Sequence, residues 1–270
     1  LLSFVSSNFH PSFEQFLRNS YGDGVANTLS RKDLGYKGSF GGHDHLIGSR
    51  AQEQAVVLVH GITNTAATFR TIADELENGG HSKGSVYATT FGDGGKTMAL
   101  MVDIRCQYVK QMRMIIQSTA AFTRRKIDVI AFSLGAPIAR KAILGGSCVD
   151  TGEPLGPPLS SLIDTFVSVA GANHGSFLCL FPFPAACNMV NGLHCRSSFL
   201  ADINSRQHYE GDYVFSIYSR QDDKVGNNNM CGQVNSRIQG QNAEFRGGNH
   251  DKVMMSTVGL QKNLIERHSP

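Results

Sequence analysis

The chain has 270 residues, of which 41% are hydrophobic and 17% charged, and a formal net charge of +3. That is enough apolar material for a large core, and α/β folds of this length commonly form one domain, so residues 1–270 read as a single domain. The weak charge, with no basic run beyond Arg124 to Lys126, points away from a nucleic-acid partner. The lack of an apolar run of about 18 residues points away from a transmembrane segment.

Residues 1–50 are polar and glycine-punctuated, and read as an N-terminal extension with one helix near Phe13 to Arg18. A short apolar strand, Ala55 to Val59, leads to a helix from Ala66 to Glu77 that stops at Gly79-Gly80. Ser85 to Phe91 reads as a strand, Met101 to Ser118 as a long helix, and Ile127 to Phe132 as a strand whose helix ends at Gly145-Gly146. Ile163 to Ala170 supplies β-branched residues for a further strand. Phe177 to Leu200 then breaks the rhythm. It is rich in Phe, Leu and Pro, carries three cysteines, and reads either as a lid with an acyl-chain surface or as a disulfide-stapled loop packed on the body. On the first reading Phe177, Phe181 and Phe183 are substrate-binding candidates. Strands at Tyr213 to Tyr218 and Glu244 to Arg246 and a helix from Lys252 to Glu266 complete the chain. Strands separated by helix-length segments need βαβ crossovers, which predicts an α/β fold with a mostly parallel sheet between helices.

The chemistry is concentrated in Ala131-Phe132-Ser133-Leu134-Gly135. Ile127, Val129, Ile130 and Phe132 are the apolar run of a strand buried on both faces, and Pro137 suits the first turn of a helix. A serine hydroxyl is a poor nucleophile, so it must be lifted from the backbone and given a base. A strand-serine-helix turn does the lifting, and small residues on either side allow strand and helix to approach. The usual pattern has glycine where Ala131 stands. The alternative is a chance turn in the core.

Partners appear in the order the elbow requires, an acid and then a histidine, each after a later strand. Asp222 or Asp223 follows Tyr213 to Tyr218, and His250 follows the last strand. His174 also follows a strand, but precedes the acid, and is assigned to shaping the site. His60-Gly61 at the end of the first core strand supplies the loop for an oxyanion hole, whose donors are the N–H groups of Ile62 and Leu134. His60 itself reads as a structural hydrogen-bonding residue. Gly95-Lys96-Thr97 ends like a phosphate-binding loop but lacks the upstream glycine, since position 90 is threonine.

His43 and His45 read as loop residues, and the cysteines are spaced too widely for zinc, so no metal and no cofactor is expected. Six cysteines in a chain beginning with Leu1 fit a secreted, disulfide-bonded protein whose signal peptide has been removed. Buried free thiols are the alternative.

The segments VVLVHGITN (Val56 to Asn64), VIAFSLGAP (Val129 to Pro137), VAGANHGS (Val169 to Ser176), SIYSRQDDKVG (Ser216 to Gly226) and GGNHDKV (Gly247 to Val253) resemble the class 2 lipases, an α/β-hydrolase family of small secreted bacterial lipases and nematode relatives. The resemblance runs from Val56 to Glu266 and includes alanine at the first elbow position. It implies an α/β-hydrolase fold, Ser133 as nucleophile, Asp222 rather than Asp223 as acid, His250 as base, and Ile62 and Leu134 as oxyanion donors. The implied activity is secreted triacylglycerol lipase or esterase action on a lipid or other acyl ester, at a lipid-water interface. Phospholipase, thioesterase or acyltransferase activity on the same triad, and ligand carriage without turnover, are the alternatives. The extension, the 148–161 loop and the 177–200 segment depart from the smallest bacterial members.

Overall fold

Seven strands make one sheet in a computed structural model that describes residues 8–42, 47–82, 84–238, 240–244 and 248–269. They are β1 (Ser39–Phe40), β2 (Val56–Val59), β3 (Val86–Thr89), β4 (Ile127–Phe132), β7 (Ile163–Val169), β8 (Tyr213–Tyr218) and β9 (Gln241–Glu244), with β5 (Gly146–Ser147) and β6 (Pro154–Gly156) forming a separate ribbon. The order across the sheet is β1-β3-β2-β4-β7-β8-β9. All neighbours are parallel except the β1–β3 pair. The helices are α1 (Pro11–Ser30), α2 (Arg70–Asn78), α3 (Cys106–Thr123), α4 (Gly135–Leu144), α5 (Ser198–Ile203), α6 (His250–Ser256) and α7 (Val258–Arg267).

Strand alternation fills two cores. Val57 and Val59 of β2 and Val129 and Ala131 of β4 pack with side chains of α1, α3 and α4, whereas Val56, Leu58, Ile130 and Phe132 pack with those of α2, α6 and α7. Both faces of the strands are therefore buried. This is why their sequences read as apolar runs without alternation.

Several predicted boundaries are corrected. The long helix begins at Cys106 rather than Met101, because the N–H of Cys106 donates to Asp150 Oδ2 at 2.9 Å and the Cys106–Cys148 disulfide fixes the same point. It runs on to Thr123, where Arg124 turns left-handed. The predicted closing helix divides at Thr257 into α6 and α7. The last strand lies at Gln241–Glu244; its expected continuation into residues 245 and 246 falls outside the described residues, as do His43 and His45.

The first fifty residues are less detached than their polarity implies. The helical segment α1 breaks at Gly22, where φ is 84° and ψ 168°, and its Phe13 is fully buried in edge-on contact with Phe9, Tyr87 and Phe122. The Arg31 guanidinium donates to the carbonyl oxygens of Thr90 and Gly92, and β1 extends the sheet. Phe13→Ala should therefore lower unfolding stability by about 3–5 kcal/mol. Urea unfolding checks this; a change within about 0.5 kcal/mol would mark α1 as a dispensable appendage.

All six cysteines are paired, as Cys106–Cys148, Cys179–Cys187 and Cys195–Cys231, so the free-thiol alternative is overturned. Two of these bonds hold the 177–200 segment, one within it and one to the loop after Asp222. The segment is the stapled loop.

Candidate active site

The C-terminal edge of the parallel strands carries the candidate residues. Ser133 follows β4 directly with φ 56°, a left-handed conformation that costs a non-glycine residue strain and needs surrounding support. That support is local. Ser133 N–H donates to Val169 O at 3.0 Å, and its carbonyl accepts from Ala136 at 3.1 Å and Ala172 at 3.2 Å. Gly135 then lets α4 close on β2: a Cβ there would lie 2.3 Å from the carbonyl oxygen of His60. Gly61 lies against the serine in the same way, where a Cβ would come within 2.9 Å of Ser133 Cβ.

A continuous hydrogen-bond chain joins three side chains from separate loops. His250 Nε2 lies 2.9 Å from Ser133 Oγ, and His250 Nδ1 lies 2.7 Å from Asp222 Oδ2. The other oxygen, Asp222 Oδ1, accepts N–H groups from Lys224, Val225 and Gly226 at 2.9, 2.8 and 3.2 Å. Burial pushes the Asp222 carboxyl up, but the hydrogen bond and charge of His250 and these N–H groups outweigh it and hold the group below the usual carboxylate range. All three residues are buried. Such an arrangement can orient an imidazole to take a proton from a hydroxyl.

Asp223 has a different task from its neighbour. Its Oδ1 accepts the backbone N–H of His250 at 3.0 Å, fixing the start of α6 rather than the imidazole. Asn249 caps that helix by accepting from Lys252 N–H at 3.1 Å. Phe132 flanks the His250 ring, with centroids 4.8 Å apart. Sequence reading named Asp223 only as a rival acid, and Phe132 only as a strand residue. The single cue for Asp223 was an adjacent pair of carboxylates, which does not show which one faces the ring.

His60 holds the loop beside the serine. With Nδ1–H donating to Gly61 O at 2.8 Å, its Nε2 accepts the N–H of Phe91 at 2.9 Å, and the ring stacks on Phe91. Burial drives its pKa down to about 4, the nearby Arg31 charge acting in the same direction. His174 lies in another cavity with Arg140, Glu210 and Arg237, and burial followed by the Arg140 charge lowers it to about 4 as well.

These two neutral imidazoles make the fold acid-sensitive. An unfolded chain takes up their protons from about pH 6.5 downward, whereas the folded chain does so only near 4, so stability falls between those values. Asp128, buried and raised to about 7, has the opposite sign: the folded state binds its proton first, and stability from this group is lost as pH rises. Melting temperatures between pH 7 and 4.5 should therefore decline, and Asp128→Asn should steepen the decline; an unchanged slope would overturn the assignment.

A cavity of about 230 Å³ opens beside this loop, lined by Gly61, Ile62, Met101, Val102, Arg105 and Tyr108 among others. None of the three phenylalanines read as substrate-binding lines it. Phe177 packs on Gly226, Phe183 packs on the Cys179–Cys187 cluster, and Phe181 stands exposed.

A parallel sheet flanked on both faces, with a serine on a strained turn after a central strand, defines an α/β-hydrolase. The family model of the class 2 lipases matches residues 53–263, and the chain belongs to that family of lipolytic hydrolases. Solved structures of similar fold include Bacillus licheniformis lipase BlEst2 in mature form, at 10% identity and TM-score 0.57 over 82% of this chain and 96% of that one. Paleococcus ferrophilus monoacylglycerol lipase matches at 14% identity and TM-score 0.52 over 86% of this chain and 98% of that one. Aspergillus fumigatus lipase B matches at 15% identity and TM-score 0.52 over 77% of this chain and 48% of that chain, so the present chain spans about half its length. No curated protein matches. Among the described residues, no helix is long and apolar enough to cross a membrane.

Proposed function

We propose that the protein, as a single domain, is a secreted serine hydrolase that cleaves carboxylic esters of acyl lipids through Ser133, His250 and Asp222. The hydrogen-bond chain of 2.9 and 2.7 Å through both nitrogens of His250 carries this reading. His250 Nε2 takes the Ser133 proton as Oγ attacks the ester carbonyl. Asp222 keeps the remaining ring proton on Nδ1 and balances the imidazolium charge. The N–H groups of Ile62 and Leu134 receive the oxyanion, Leu134 being the first residue after the nucleophile and Ile62 the neighbour of the Gly61 that touches it. The alcohol leaves with the proton from His250, and water, activated by the same base, releases the acid. Three disulfides and the family support an oxidising, extracellular setting.

A fluorophosphonate should stop turnover of short- and long-chain esters with one covalent adduct, which peptide mass mapping should place on Ser133. An adduct elsewhere, or turnover that survives full labelling, would overturn the reading.

A further inference from the structure

The cavity that holds His174 carries more positive charge than the ester chemistry needs. It measures about 210 Å³ and lies between α4, the end of α5, the turn before β8 and the segment before β9. Arg140, Arg206 and Arg237 line it against one carboxylate, Glu210, so permanently protonated guanidinium groups leave an excess of two positive charges. His174 adds none at neutral pH, because burial and the Arg140 charge lower it to about 4. Asp202, the acid on α5, is paired with Lys141 at 2.6 Å and faces a different cavity. Ile238 is the one apolar side chain on the wall among the described residues, so an acyl chain finds no matching surface here.

The polar groups of this wall are unevenly satisfied. Arg140 and Glu210 are almost fully buried, and Arg140 Nε donates to Glu210 Oε1 at 2.8 Å. Its Nη1 and Nη2 donate to Asn204 Oδ1 at 2.9 Å and to Ile203 O at 3.0 Å. The second carboxylate oxygen, Glu210 Oε2, is buried with no hydrogen-bond partner among the described residues. A buried acceptor of that kind is costly unless a donor reaches it. Arg237 is positioned by Tyr218, whose hydroxyl accepts from Nε at 3.0 Å and Nη2 at 2.8 Å. Arg206 is exposed, and among the described residues it has neither a hydrogen bond nor an ion pair.

An occupant that answers both features must bring negative charge and a hydrogen-bond donor of its own. A carboxylate ion brings too little charge and no donor, and sulfate matches the charge but has no hydrogen. Hydrogen phosphate has both, as does a phosphate ester of a polyol. We propose that this cavity binds a phosphate group accompanied by a hydroxyl, with Arg206 and Arg237 on the phosphate oxygens and the hydroxyl donating to Glu210 Oε2. The site is separate from the ester chemistry but adjoins its support. Asn204 Nδ2 donates to Asn173 O at 2.9 Å, and Ala172 N–H in the same loop donates to Ser133 O at 3.2 Å. Occupancy braces the loop behind the nucleophile.

Calorimetric titration of the full chain in a phosphate-free, low-salt buffer near neutral pH tests this with inorganic phosphate, glycerol 3-phosphate, sulfate and acetate. Phosphate should bind wild type and raise its melting temperature, and sulfate and acetate should bind about tenfold or more weakly. Arg206→Gln, which removes no contact inside the protein, should weaken phosphate about tenfold and leave the melting temperature of the free protein unchanged. Glu210→Gln keeps an oxygen for Arg140 and places an amide donor where Oε2 stood, so it should reverse the preference and bind sulfate more tightly than phosphate. If that buried variant does not fold, the wild-type selectivity and Arg206→Gln still decide. Ser133→Ala should bind phosphate like wild type, so the site stands or falls independently of the hydrolase reading. Tighter binding of glycerol 3-phosphate than of phosphate would support the site with an ester headgroup as its source, and weaker binding would support it with the free ion. Absence of phosphate binding, equal binding of sulfate or acetate by wild type, or undiminished binding by Arg206→Gln would each overturn it.

Discussion

Ser133→Ala should abolish fluorophosphonate labelling and lower kcat on a soluble ester by at least about 10⁴-fold, or about 5 kcal/mol of transition-state stabilisation. The loss is large because Oγ is the only atom whose removal deletes the covalent route, while the oxyanion donors, which are backbone N–H groups, survive and leave a small residual rate. The fold should survive too. The strained turn is supported by the backbone groups of Ser133, which bond to Val169, Ala136 and Ala172, and alanine keeps every one of these. A variant that melts like wild type but no longer turns over ester therefore separates chemistry from structure. Retained turnover would remove Ser133 from the mechanism, and a collapse in melting temperature would show that the hydroxyl serves the turn instead.

Much of this site was legible because its signals are local. A buried strand running into Ser133, with Gly135 where α4 meets β2, is set by close packing within a few residues, and sequence displays such constraints directly. The order Ser133, Asp222, His250 follows from which strands end at the same edge, so a correct reading of β4, β8 and the approach to α6 was sufficient. What escaped depends on distant partners. The start of α3 is fixed by Asp150 and a disulfide to Cys148, and the polar first helix is bound by Phe13 against Phe122 and by Arg31 on Thr90. Propensity near Met101 favours a helix, but tertiary contacts decide where it begins. The apolar 177–200 segment left two readings open because composition is the same for a lid and a staple; only the pairing of its cysteines separates them.

The adjacent carboxylates give the second large effect. Asp222→Asn should lower kcat by about 10⁴-fold with the fold intact, whereas Asp223→Asn should cost about tenfold or less. An asparagine at 222 has one oxygen for two acceptor positions, the Nδ1–H of His250 on one side and three backbone N–H groups on the other. If its amide nitrogen faces the ring, Nδ1 must become an acceptor and the proton moves to Nε2, so the imidazole presents a donor to Ser133 and cannot act as base. If the amide nitrogen faces the loop, it opposes N–H groups that need an acceptor, and the segment carrying Val225 shifts. Asp223, by contrast, accepts a single N–H, that of His250, and an asparagine oxygen can accept it equally well. Because His250 and the backbone N–H groups hold Asp222 below the ordinary carboxylate range against the pull of burial, the wild-type acid carries its charge at neutral pH. Kinetics of both variants on one soluble ester, with melting curves as a control for folding, decide the matter. If Asp223→Asn proves the more damaging at equal stability, the acid moves by one residue, and the 2.7 Å contact at His250 Nδ1 is not the one that sets its tautomer.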